Sequence, residues 1–269
     1  MPMLSVFRQS LFGYRTGIGL VSFGLFAISL LIVYTFDAFG GIEGFKELLE
    51  AVPESMKALL KASGGFATSA DGYLSTQYRH PFYLVATAGF VIAVVAGAMA
   101  REIERGTVLM VLAAPIARWR YLLGKMLALF VGLLVLMAGA IVGTWLGVVI
   151  TGLTGDVHME VLLQVELNLL LLALSIAGVV ALVSSLSNDG GQVVAVGAGI
   201  AVTMFFLDFL AAIWGPAEPL GPFSVYHYYD PLKVAEEGLP WRDLSVLLGV
   251  AVVGLGGAFA VFQRRDISR

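Results

Sequence analysis

Charged residues avoid five windows of this 269-residue chain and enter a sixth only at Asp208, and each window is long enough to cross a bilayer as a helix. The windows predict spans over residues 16–36, 80–100, 126–150, 167–188, 192–214 and 244–263. Ahead of the first, Leu4, Phe7, Leu11 and Tyr14 share one helical face while Arg8 and Arg15 fall elsewhere, which predicts an interfacial helix over 2–15. The segment 37–79 carries Phe45, Leu48, Leu49 and Val52, then Met56, Leu59 and Leu60, on either side of Pro53. That spacing predicts two short amphipathic helices. Between spans two and three, residues 101–125 have charged ends and an apolar middle with Val108, Val111, Leu112 and Ile116 at helical spacing. Such a stretch lies on the membrane surface, docks in a partner's groove, or is an arginine-anchored loop. The segment 215–242 combines five prolines with Phe223, Tyr226, Tyr228 and Tyr229, the composition of an interfacial aromatic belt or of a loop folded back into protein.

Composition turns these windows into a class. A hydrophobic fraction of 59% with 13% charged residues, and a mean hydropathy of +0.91, exceed what a water-soluble interior can hide. The expectation is an all-α polytopic membrane protein forming a single permease-like domain over 1–269, its first span retained because it is too long for a signal-peptide core. Basic residues set its orientation. Arg8, Arg15, Arg101, Arg105, Arg118, Arg120, Lys125, Arg264, Arg265 and Arg269 all fall on one predicted side, leaving six of the 16 Lys and Arg for the longer loops opposite. Both termini and the segment 101–125 are therefore expected in the cytoplasm, and the chain in the inner membrane.

Candidate chemistry is sparse. The chain has no cysteine, no phosphate-binding loop, no G-x-S-x-G and no H-E-x-x-H, so it offers no nucleophile, nucleotide or zinc motif. His80, His158 and His227 lie far apart in sequence. Asp208 is the one acid inside a predicted span, and a carboxylate there must be paired or face water. With Phe205, Phe206 and Phe209 around it, it forms a candidate substrate path. Glu166 and Asn168 are expected at the outer start of span four, where polar groups are cheap, and Asp189 in a tight turn. Small residues recur every fourth position in span two (Gly89, Ala93, Gly97) and span three (Gly139, Gly143, Gly147), and predict close helix packing within or between subunits.

The run Glu104, Arg105, Gly106, Thr107, then Leu112, Pro115, Arg118 and Gly124-Lys125, resembles the segment after the second span of ABC type-2 exporter permeases. The resemblance extends to the whole plan of six spans, an N-terminal interfacial helix and a Pro-rich segment after span five. It implies that Glu102 to Ala113 contains a coupling helix, in which Glu102, Glu104, Arg105, Gly106, Thr107, Val108, Val111 and Leu112 meet a separate ATP-binding subunit. It further implies two copies of that subunit carrying ATP and magnesium, no cofactor in this chain, and a second permease copy completing a path lined by the first, second and fifth spans. Relatives export drugs, antimicrobial peptides, lipids or polysaccharides, or serve maturation of metalloenzymes; the first outer segment, longer than a minimal permease needs, leaves cargo open, and a hydrophobic or amphipathic compound is expected. Lipid is the surrounding solvent and no nucleic acid is expected. The competing reading is a stand-alone channel or secondary transporter, which needs several intramembrane ions where only Asp208 is evident.

Overall fold

A computed structural model describes residues 3–50, 52–53, 56, 67–105 and 117–265 of the chain. Ten α-helices and no strands are present among them: α1 (Met3–Ala38), α2 (Gly41–Glu50), α3 (Ala70–Thr76), α4 (Pro81–Ala98), α5 (Ala100–Glu104), α6 (Arg118–Thr151), α7 (Met159–Leu186), α8 (Gly190–Ile213), α9 (Pro231–Glu237) and α10 (Trp241–Arg264). Six helical stretches are long and apolar enough to cross a membrane: α1, α4 continued by α5, α6, α7, α8 and α10. The expected residues Gly106, Thr107, Val108, Val111 and Leu112, and Leu59 and Leu60 of the second amphipathic run, lie outside the described residues.

Local chemistry fixes several helix starts. Ser69 and Asp230 cap α3 and α9 by accepting from Gly72 N at 3.0 Å and Lys233 N at 3.1 Å. Asp189, expected only to turn the chain, caps α8 by accepting from Gln192 N at 2.9 Å. Pro81 occupies the first turn of α4, where its missing N–H is no loss. Gly152 ends α6 in the left-handed region, at φ +78°.

The N-terminal amphipathic stretch is not a separate helix. It forms the first turns of α1, whose 36 residues extend about 54 Å against a hydrocarbon thickness of about 30 Å. Its face, with Val6 and Ser10 buried, packs on α6. The two helices run parallel, glycine stripe against backbone: a Cβ at Gly143 would stand 2.3 Å from the Phe26 carbonyl oxygen, and one at Gly139 2.7 Å from that of Ser22. Ser22 Oγ donates back to the Val135 carbonyl at 3.0 Å. The span-three stripe therefore packs within the subunit, whereas Gly89 and Ala93 of α4 are exposed. A second parallel pair, α7 with α10, closes on Gly178 and Gly254, where a Cβ on the latter would lie 2.4 Å from Gly178 C.

At the end of the bundle opposite the arginine cluster, α3, α9 and two 3-10 stretches, Gly215–Phe223 and Val225–Tyr228, form a cap. Ser224 Oγ donates to the Met204 carbonyl at 2.7 Å, so the proline-rich segment folds back along the last turns of α8. Asp71 ties α3 to the start of α7 by accepting from His158 N at 2.8 Å and meeting its Nδ1 at 2.7 Å.

Candidate functional site

The arginine-rich end gathers the described flanks of the segment 106–116. Glu102 on α5 accepts from the Tyr121 hydroxyl and pairs with Lys125, both on α6. Lys125 is buried, and a buried ammonium needs such a partner. Two residues on, Glu104 Oε2 accepts from Gly190 N at 3.0 Å, at the α7–α8 junction. Arg101 packs so close to that junction that a Cβ at Gly190 would lie 2.8 Å from its own Cβ. Beyond residues 106–116, Arg118 Nη1 donates to the Arg265 carbonyl at 2.6 Å. Arg265 Nη1 in turn reaches the carbonyls of Ser185 and Ser187 at 2.7 and 2.9 Å, and its Nη2 reaches Asn188 Oδ1 at 2.6 Å. These bonds satisfy the last carbonyls of α7, which have no partner within the helix. Of the residues expected to couple, Glu102 and Glu104 are thus engaged inside the chain, while Arg105 is exposed.

Asp208 lies near the other end of α8 and is buried. Its Oδ2 accepts from Arg79 Nη2 at 2.8 Å, and Oδ1 stands 3.6 Å from His227 Nδ1. Arg79 Nη1 donates to the Tyr229 carbonyl at 2.8 Å, so one guanidinium joins α8 to the folded-back segment. Burial pushes the Tyr226 phenol up to about 12 and that of Tyr229 well above its ordinary value. Phe205 meets the Tyr226 ring edge-on at 5.6 Å between centroids, Phe209 is half-buried, and Phe206 is exposed. Asp208 turns inward to Arg79, whereas Phe206 is exposed.

Glu166 corrects an expectation. Helix α7 begins at Met159, two turns before the predicted span, so Glu166 and Asn168 sit inside the fold at 4% and 0% exposure. The Glu166 carboxyl faces the buried Tyr78 hydroxyl, and neither closes an ordinary hydrogen bond. No sequence spacing points to that meeting. Among the described residues no group of three or more His, Asp or Glu is placed to hold a metal ion.

A family model described as ABC-2 family transporter protein matches residues 15–267. No curated protein matches the chain.

Proposed function

From the premise that this chain belongs to the ABC-2 transporter family, as a multi-pass membrane subunit of an ABC transporter, we propose that it is the permease of an ATP-driven exporter. Membership replaces the stand-alone channel reading. In this proposal a separate ATP-binding subunit, in two copies, docks on 102–113, both termini face the cytoplasm, and two permease copies pair in the inner membrane. The cargo is a hydrophobic or amphipathic compound. One observation carries the coupling reading. Both described flanks of 106–116 are bonded to the ends of other spans, through Glu104 to α8 and through Arg118 and Arg265 to α7 and α10. A push on the segment would reach every one of those helices without crossing a loose joint.

The exposed face of α8 around Val202, Phe206 and Leu210, and that of α4 around Phe82 and Val85, support a path completed by a second copy. Phe206 is its proposed wall, and Phe205, Phe209 and Asp208 hold that wall in place from behind. The coupling role is tested by Val111→Asp with Leu112→Asp, because losing a buried anchor at an interface hot spot costs about 1–4 kcal/mol. The doubly substituted chain should insert normally and fail to co-purify with its ATP-binding subunit. Unchanged co-purification and export would refute the assignment.

A further inference from the structure

A cavity of about 530 Å³ opens at the arginine-rich end, between the first turns of α1, the α4–α5 junction and the start of α6. One wall is apolar, formed by Val6, Phe12 and Gly13; the other carries Arg101, Arg105 and Lys125. Among the described residues the only acid lining it is Glu102, which is tied to Lys125 and Tyr121. Among the described residues the recorded ion pairs include neither Arg101 nor Arg105. Arg101 and Arg105 thus face the cavity as two positive charges beyond the one that Glu102 and Lys125 balance between them.

The cavity also adjoins lipid. Phe12 belongs both to its wall and to an exposed α1 face with Leu4 and Leu20, which are 65%, 59% and 69% exposed. Because α1 exceeds the hydrocarbon thickness by about 24 Å, these first turns stand at headgroup depth. Cationic groups on one wall and acyl-compatible groups on the other match one kind of ligand. We infer that this cavity binds the phosphodiester headgroup of an anionic phospholipid, with Arg101 and Arg105 on the phosphate and an acyl chain running down α1 beside Phe12. The leaflet that supplies the lipid rests on the orientation proposed above; the binding does not.

The test uses the purified full-length chain in mixed micelles, with native mass spectrometry reading retention of dioleoyl phosphatidylglycerol against dioleoyl phosphatidylcholine. The chain should prefer the anionic lipid, and Arg101→Gln with Arg105→Gln should weaken that preference by about fivefold per arginine. Gln9→Glu, on the exposed α1 side of the cavity, should weaken it too and carries the test if the double variant misfolds. A preference that survives both changes overturns the inference. Displacement of the lipid by millimolar glycerol 1-phosphate also overturns it, because the site would then take a soluble phosphate. The chain lacks cysteine, so Ser5→Cys labelled in vesicles reads the leaflet separately. Labelling from outside only would move the site to the other leaflet and sink the orientation reading, leaving lipid binding intact.

Discussion

Removing the guanidinium of Arg79 should damage the fold more than neutralising its partner Asp208. In Arg79→Ala, Asp208 keeps only His227 at 3.6 Å, and the Tyr229 carbonyl loses a donor at 2.8 Å. Breaking a fully buried pair costs about 3–5 kcal/mol. These side chains are 19% and 10% exposed, which lowers the charge part to about 2–3 kcal/mol, and the orphaned carbonyl adds about 1 kcal/mol. In Asp208→Asn the amide oxygen still accepts from Arg79, and Arg79 still holds Tyr229, so the expected cost is about 1–2 kcal/mol. The double variant Arg79→Ala with Asp208→Asn leaves no unpaired ion and should cost about 2 kcal/mol less than the two single effects added. Reversible unfolding in mixed micelles, followed by tryptophan emission, measures all three. Trp214 and Trp241 flank the region and report on it. Equal losses in the two single variants, or additive losses in the double, would show that the pair does not hold the folded-back segment.

Other expectations are shorter to state. Gly143→Leu should prevent stable folding, because its Cβ meets the Phe26 backbone at 2.3 Å, whereas Gly89→Leu, with nothing within 4 Å, should unfold at the wild-type denaturant concentration. Glu104→Ala should reduce export per ATP hydrolysed several-fold while the permease still binds its ATP-binding subunit, at a stability cost of about 1 kcal/mol. Raising the pH from 10 to 12 should cost stability. The unfolded phenol of Tyr226 ionises at 10.0 and the folded one at about 12, so the folded state alone holds the proton across that window. The Tyr226→Phe variant should lose about 2–3 kcal/mol less over the same range.

Gaps in charge located the membrane helices well, since an ion in hydrocarbon is penalised wherever the chain goes. Their ends were less visible. Leu4, Phe7, Leu11 and Tyr14 read equally as a surface helix or as more of the first span, because both bury one face, and only α6 decides between them. The glycines of 139–147 were legible as a close-packing stripe, yet nothing in their spacing names α1 as the partner. The pairing of Asp208 with Arg79 joins residues 129 positions apart, a distance over which periodicity carries no information. Glu166 was misplaced for a related reason: its own charge set the start of the fourth window, although the helix has already begun at Met159.

The parallel seam between α1 and α6 makes those two helices a single stiff beam. Its glycines remove the side-chain layer through which neighbouring helices ordinarily slide, so neither rod shifts along the other without backbone collision. A beam roughly 50 Å long converts small rotations into useful displacements. Tilting by about five degrees at one end moves the other by roughly 4 Å, about the rise of three helical residues. The segment 101–125 feeds directly into the α6 end of that beam, so an angular stroke delivered there would arrive at Phe36 and Thr151 as a lateral opening rather than dissipating in loops on the way.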